Sequence, residues 1–407
     1  MKEMKCFANR GYSMREEIIS RASEIQDRLV EIRRDIHRHP ELGLQETRTA
    51  ALIASELKKL GLEVQTGVGI TGVVGLLRGN AAGKTVLLRA DIDCLAMTET
   101  NQTEYMSEYP GRMHACGHDA HTTWLLGTAM ILSSMKDKIK GNVKFVFQPA
   151  EEGPGGAERM IAEGVLENPK VDYAFGAHVW PSVDVGKIGV KDGPMMAAPD
   201  KFNLRIYGKG GHASTPELTI DPISIAVQVY NSLQTIVSRR VSPLDAVVVS
   251  ITMFNGGTAH NIIPDFVDIT GSVRSLLPET RAKLPIMIEE IIKGIVEVNH
   301  GTYTYDYQPY YPPLINHAEA NTYVKAATSL ILGNDAVLEL DKPVMGGEDF
   351  SFFVQKVPGT FFFIGTRNEE KGIVHGLHHP NFDIDELILS KASAVMAQTA
   401  ILYLEQN

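Results

Sequence analysis

The sequence predicts an α/β protein interrupted by a smaller inserted α+β unit. Three observations predict this: apolar strands and amphipathic helices alternate at both ends of the chain, the alternation breaks in the middle, and candidate chemical residues recur just past strand ends. Open α/β sheets bind ligands at that last position. At 407 residues the chain exceeds one ordinary domain, and the break divides it into 1–188 with 306–407 and an insert at 189–305.

Ile18, Ala22, Ile25, Leu29, Ile32 and Ile36 recur at helical spacing and predict one long helix from about Arg15 to about His37. Pro40 and Gly43 close it. A second helix, about Glu46 to Leu60, carries Ile53, Leu57 and Leu60 on one face and stops at Gly61. Strand-like runs at Val73–Leu77 and Val86–Leu88 flank Gly79-Asn80, which predicts a hairpin. The second run ends in charge at Arg89-Ala90-Asp91.

The alternation continues with a helix over about Thr122–Lys136, a buried strand at Val143–Gln148, a short helix at Gly156–Gly164 and a short strand at Tyr173–His178. Asp91, the Glu151-Glu152 pair and His178 thus each fall at or just past a strand end. Around Gly186–Gly193 the pattern changes. Strands near Lys201–Tyr207, Ala246–Phe254 and Asp265–Ser275 interleave with amphipathic helices near Asp221–Val237 and Pro278–His300, a compact α+β unit. After Thr302 the α/β character returns, with a helix near Ala318–Leu332, a strand at Phe361–Ile364 and a terminal helix from about Asp385.

Composition narrows the function. A net charge of −10 argues against a nucleic-acid partner or an anionic membrane, since both want a basic face. No apolar run is long enough to span a bilayer, and Met1 to Arg15 mixes Lys, Glu and Arg where a secretory leader would be apolar. Cys6, Cys94 and Cys116 are widely separated, which suits a reducing cytoplasm and metal-bound or reactive thiols better than disulfides.

The densest chemistry is Met113-His114-Ala115-Cys116-Gly117-His118-Asp119-Ala120-His121, in which borderline and soft metal ligands crowd one loop. Glu151 and Glu152 follow an apolar strand and precede a Gly-Pro-Gly-Gly turn, so both can reach one site. One such carboxylate can bind a metal while the other takes a proton from water. His178 and the His378-His379-Pro380 stretch add imidazoles. The candidate set is Cys116, His118, Glu152, His178 and His378, a mixture of donors that suits zinc, with manganese or cobalt next. It exceeds the three ligands typical of a mononuclear catalytic site and fits two metals sharing a ligand. A zinc finger is excluded, because no second Cys-x-x-Cys or His pair lies nearby.

Several motifs occur in one order: Arg89-Ala90-Asp91-Ile92-Asp93, the Met113–His121 cluster, Gln148-Pro149-Ala150-Glu151-Glu152-Gly153, Gly208-Lys209-Gly210-Gly211-His212-Ala213 and Met345-Gly346-Gly347-Glu348-Asp349-Phe350. Together they resemble the amidohydrolase branch of the aminoacylase/carboxypeptidase superfamily of metallopeptidases, which includes hippurate hydrolases, indole-acetyl-amino-acid hydrolases and N-acyl-amino-acid amidohydrolases. The resemblance runs from about His37 to about Phe382. It implies an α/β/α phosphorylase/hydrolase-like catalytic domain with an inserted ferredoxin-like lid and dimerisation domain, hence a homodimer or a tetramer of dimers. It implies metal ligands at Cys116, His118, Glu152, His178 and His378, with the cysteine bridging two divalent ions. His378 rather than His379 follows from the family's His-x-Pro pattern. Glu151 takes the place of the general base, His212 that of the oxyanion-stabilising histidine, and Asn261 and Arg274 those that hold the substrate's free carboxylate.

The implied reaction is hydrolysis of an N-acyl amino acid; a dipeptidase or carboxypeptidase would use the same groups. The complete ligand set with Glu151 argues against a binding-only protein on a decayed scaffold. Two departures bear on substrate size: the stretch Tyr105–Tyr109 matches no family pattern, and Trp124 stands where a smaller residue is expected. Arg89 replaces the metal-binding histidine of other branches, as is usual for this one.

Overall fold

The structure is a computed structural model that describes residues 11–406; Cys6 and the charged stretch through Arg10 lie outside the described residues. The chain divides into two compact units. One comprises Met1–Gly193, Asn316–Lys342 and Phe352–Asn407, the other Pro194–Ile315 and Pro343–Ser351.

The first unit opens with α1 (Gly11–Glu24) and α2 (Gln26–Arg38) in place of the single long helix expected. The interruption is one residue wide. The Ile25 N–H still reaches the Arg21 carbonyl at 3.3 Å and the Leu29 N–H the Ile25 carbonyl at 3.0 Å. The apolar stripe therefore keeps its phase, and Ile18, Leu29, Ile32 and Ile36 are all buried. Helix α3 (Thr47–Lys59) lays Ile53 and Leu57 against β1 (Glu63–Val68) and β2 (Gly72–Arg78).

The expected hairpin between β2 and β3 (Ala81–Asp91) does not form. Strand β4 (Lys140–Gln148) lies between them, antiparallel to β2 (Val73 opposite Phe147) and parallel to β3 (Asp91 opposite Gln148). Gly79 and Asn80 instead donate their N–H groups to the carbonyls of Gly141 and Ile139, at 2.9 and 2.8 Å. The reason is burial. Val86–Ala90 and Val143–Phe147 are mostly apolar, buried runs that need neighbours on both edges, and central places in the sheet supply them. The hairpin that does form, β1–β2, was not read from the sequence, because β1 is polar and largely exposed.

Helix α4 (His118–Ser134) is buried almost throughout, so it has no polar face to set its phase. Strand β5 (Tyr173–Asp184) runs well past the expected end, placing His178 within the strand. Its pairing with β3 (Gly176 opposite Arg89) still sets His178 level with Asp91. Strand β6 (Ile188–Val190) follows.

The second unit holds β7 (Ala198–Tyr207), α5 (Pro222–Thr235), β8 (Val247–Gly256), β9 (Phe266–Ser275), α6 (Leu284–Val298) and β10 (Thr302–Gln308). The strands form one antiparallel sheet in the order β8-β9-β7-β10. Alternate residues of β7 and β9 are buried beside Ile225, Val229 and Leu233 of α5 and Ile288, Ile292 and Val296 of α6. Strand β10 corrects the reading that α/β character resumes at Thr302. Its alternation is carried by Tyr303, Tyr305 and Tyr307, whose hydroxyls disguise an inward-facing stripe. The helix expected over Pro278–His300 is broken, with a short turn at Pro278–Arg281 before α6. Pro285 lacks an N–H and sits in the first turn of α6, where none is needed.

The first unit closes with α7 (Ala318–Leu332), β11 (Val337–Glu339), β12 (Gly359–Arg367) and α8 (Ile388–Gln406). Its mixed sheet runs β1-β2-β4-β3-β5-β12-β6-β11, and α8 packs on α1, α4 and α7. Among the described residues no helix is long and apolar enough to cross a membrane.

Candidate metal centre

The centre is built where β3 and β4 end, where β5 passes them at His178, and where α4 begins. Gly117 makes that corner possible. Its φ of +82° is left-handed, and a Cβ there would lie 2.4 Å from Cγ2 of Val179. With no side chain in the way, Cys116 approaches β5, and its Sγ comes to 3.4 Å from Nε2 of His178. The Nδ1 of His178 lies 2.7 Å from the Val179 carbonyl, which can only accept. The proton therefore sits on Nδ1, and the Nε2 lone pair faces the sulfur.

His118 is arranged the same way. Its Nδ1 is 3.1 Å from Oδ1 of Asp93, while its Nε2 is buried without a hydrogen-bond partner, 3.9 Å from Oε1 of Glu152. Asp93 also accepts the backbone N–H of Glu152 through Oδ2 at 3.0 Å, so one carboxylate aligns two candidate ligands. His378 donates its backbone N–H to the Ala115 carbonyl at 2.8 Å, and its Nε2 lies 3.1 Å from Oε1 of Glu152. Its φ of +60° is left-handed, a conformation that costs a residue with a Cβ about 1–2 kcal/mol. Its neighbour turns away: His379 stacks on His375 at 4.2 Å and accepts the Asn381 N–H.

These contacts gather the donors into overlapping groups whose ligand atoms lie within 4.8 Å of one another. Cys116, His118 and His178 form one, and Cys116, Glu152 and His378 form another, so the sulfur belongs to both. Glu151, also buried, joins His118 and Glu152 in a third.

The electrostatics of the centre are lopsided. Burial pushes the Cys116 thiol well above its usual range, and Glu152 and Glu151 push it further. Burial drives His178 well down, with His121 beside it. Burial would also lower His118, but Asp91, Asp93 and Glu152 outweigh it and raise it to about 10. That rise measures how acidic the surroundings are. A divalent cation at Nε2 answers the same field without leaving a buried N–H unpaired, and it would turn the Cys116 shift round by holding a thiolate. The orphaned Nε2 of His118, the lone pair of His178 and the shared sulfur therefore fit metal ions.

Supporting groups lie beneath. His121 accepts the Val179 N–H at Nε2 (3.0 Å), so its Nδ1 carries the proton and donates to Asp91 at 2.5 Å. Arg89 also donates to Asp91, at 2.6 Å. Asp91 stays well below the usual carboxylate range: burial opposes this, but His118, His121 and Arg89 prevail. Asp91, His118 and His121 also bring donor atoms within 4.8 Å of one another, but Asp91 is already taken up by its two cationic or N–H donors. Trp124 is fully buried and packs 4.6 Å from the His121 ring. Tyr105 lies against the guanidinium groups of Arg33 and Arg34 and donates to Asp383 at 2.7 Å. Both are packed into the first unit's framework.

The remaining sequence candidates belong to the second unit. His212 is exposed on a two-residue strand opposite Ile262, and the Ala213 N–H donates to the Asn261 carbonyl at 3.0 Å, so His212 and Asn261 are neighbours. Nδ1 of His212 accepts the Ser214 N–H at 3.1 Å, which leaves Nε2 as the protonated nitrogen of a neutral ring. Arg274 is half-buried on β9, where burial lowers its pKa against the pull of Asp200. Sequence reasoning named Asp93 only as part of a motif and missed Glu46, whose carboxylate bonds the Ala150 N–H beside the Glu151-Glu152 pair.

The model of peptidase family M20/M25/M40 matches residues 87–401. Thermostable carboxypeptidase 2 of Saccharolobus solfataricus is 43% identical over 392 residues, 95% of this chain and 98% of that protein. IAA-amino acid hydrolase ILR1-like 4 of Arabidopsis thaliana is 42% identical, over 95% of this chain and 88% of its own. N-acetylcysteine deacetylase of Bacillus subtilis is 40% identical, over 93% and 97%. A crystal structure of a Bacillus subtilis protein, described as a dinuclear metal-binding peptidase of the M20 family, superimposes with a TM-score of 0.82 at 35% identity, covering 95% of this chain and 100% of that one. The motif order, the α/β fold and these matches lead to one conclusion: the chain is a hydrolase of peptidase family M20/M25/M40.

Proposed function

We propose that this hydrolase cleaves the amide bond of N-acyl amino acids, with two divalent cations as cofactors. The observation that carries the reading is the pair of three-donor groups sharing Cys116, with Glu151 beside them. Cys116, His118 and His178 would hold one cation, and Cys116, Glu152 and His378 the other; zinc suits this donor set first, manganese or cobalt next. When bound, the cations supply Lewis-acid chemistry, polarising the scissile carbonyl and acidifying water.

The chain's own groups do the rest. Glu151 accepts a proton from water as the water oxygen bonds to the amide carbon, then passes it to the nitrogen as the C–N bond breaks. Asp93 keeps Glu152 and His118 aimed while this happens. His212 presents its Nε2–H to the oxyanion, as the Ser214 contact at Nδ1 favours. The Arg274 fork and the Asn261 amide hold the substrate's free carboxylate. The reading assigns the second unit, Pro194–Ile315 with Pro343–Ser351, the part of lid and dimerisation domain expected over 189–305, between catalytic segments 1–188 and 306–407. Exposed Val227, Tyr230 and Val237 on or just past α5 support homodimers, or tetramers built from them. The cellular setting proposed is the cytoplasm.

Relatives named for acyl-amino-acid and carboxypeptidase activities flank this choice. The deciding experiment follows amine release from N-acetyl- and N-benzoyl-amino acids and from dipeptides, with and without chelator. Hydrolysis of the acyl amino acids that chelation abolishes and zinc, manganese or cobalt restores is the expected result. Turnover of dipeptides alone would replace the reading with a dipeptidase.

A further inference from the structure

Glu46 stands just before α3, and its side chain is fully buried. One carboxylate oxygen accepts the Thr71 hydroxyl at 2.5 Å, and the other accepts the Ala150 N–H at 2.9 Å. Ala150 is itself fully buried and left-handed, with φ +57°, a conformation that a residue with a Cβ avoids. Gly43 closes over it; a Cβ on Gly43 would sit 3.1 Å from both Cα and Cβ of Ala150. Two residues on, the Glu152 N–H ends on Asp93. The backbone N–H groups on either side of Glu151 are thus each held by a buried carboxylate, one from Glu46 and one from Asp93.

We propose that Glu46 is a positioning residue that sets the aim of Glu151 by holding Ala150 in its left-handed conformation. The inference rests on the reading of Glu151 as the general base. A carboxylate accepting a buried N–H makes a strong, charge-assisted hydrogen bond. Without it the Ala150 N–H is buried and unpaired, and the left-handed backbone has nothing to offset its strain. Relaxation of Ala150 towards ordinary dihedrals turns the next peptide and swings Glu151, while Asp93 still anchors Glu152 and His118.

The test compares Glu46→Ala, Glu46→Gln, Ala150→Gly and Glu46→Ala combined with Ala150→Gly in the full chain. Each is measured for metal content after zinc loading, for thermal unfolding, and for kcat and KM on whichever amide or dipeptide the wild type hydrolyses. Glu46→Ala is expected to keep wild-type metal content and KM within about twofold while kcat falls about 100-fold, the size expected for a catalytic group displaced by about 1 Å. Glu46→Gln, whose amide oxygen still accepts the Ala150 N–H, should stay within about fivefold of wild type, the hydrogen bond surviving without its charge. Ala150→Gly should recover about tenfold of the loss, since glycine takes the left-handed conformation freely. It should also raise the melting temperature more in the Glu46→Ala background than in the wild type.

A kcat unchanged in Glu46→Ala, a loss accompanied by loss of zinc, or strictly additive effects at 46 and 150 would each overturn the proposal. Where Glu46→Ala fails to fold, Thr71→Val, which removes one of the two bonds to Glu46, should lower kcat several-fold at unchanged zinc content; an unchanged kcat overturns it. Coupling between 46 and 150 is read from unfolding without substrate. A wild type that ignores N-acyl amino acids would therefore sink the substrate assignment and leave the Glu46 test standing.

Discussion

At the scale of single residues, the centre depends on which atoms face which. Cys116 contributes its sulfur to both three-donor groups, so on the proposed reading Cys116→Ala removes a ligand from each. Its zinc-to-protein ratio should fall from about two to below one, because the remaining donors no longer complete either site. A Cys116→Ala protein that still held two equivalents would remove the bridging role. His378 and His379 separate in the same assay: His378→Asn should lose zinc and His379→Asn should not, since His379 stacks on His375 and accepts the Asn381 N–H. The donors were legible in the sequence because cysteine and histidine are rare, and their density between a turn and a helix is itself a signal. Glu46 was not, nor was the full part played by Asp93. Nothing in a carboxylate's identity separates one that clamps a buried peptide N–H from one on a wet surface; only the fold distinguishes them.

At the scale of elements, the corner between the Cys116 loop and α4 is the tightest piece of construction. Gly117→Ala adds a Cβ at a left-handed φ and places it 2.4 Å from Val179. We expect a destabilisation of about 2 kcal/mol or more in denaturant unfolding, left-handed strain and overpacking acting together. A change under about 0.5 kcal/mol, the range of an ordinary surface substitution, would mean that the corner is not tight. Elements whose pattern is set locally were legible: α3 and α7 lie within a residue or so of their expected bounds. The β2–β3 hairpin was not, because Gly79-Asn80 looks the same whether it turns a chain back on itself or hands it across a neighbouring strand. Which one occurs is decided by β4, about sixty residues later, which takes the place between β2 and β3 and pairs with an edge of each.

At the scale of the whole molecule, a buried charge network joins segments far apart in sequence. Arg33 on α2 pairs with Asp119 on α4 at 2.7 Å and with Asp383 at 2.8 Å, and His37 contacts Asp119 and Glu99. Burial opposes ionisation of Asp383, but Arg33 and the Tyr105 hydroxyl hold its pKa below the usual range; His37 does the same for Glu99. A carboxylate with a depressed folded pKa stabilises above its unfolded value, and that stability is lost as pH falls through the folded one. Asp383→Asn should therefore lower the melting temperature at neutral pH, with the gap to wild type closing only below about pH 4, where the unfolded carboxylate begins to protonate. A gap that stays constant down to pH 2 would show that the Arg33–Asp383 pair carries none of the acid sensitivity. The catalytic claim also belongs to this scale, because it divides labour between neighbours: Glu152 as a ligand, Glu151 as the base. The most direct test is the turnover of zinc-loaded Glu151→Gln on an N-acyl amino acid. We predict a loss of about 1,000-fold, within the range for a general base, with zinc content unchanged. Near-wild-type turnover with zinc bound would contradict it.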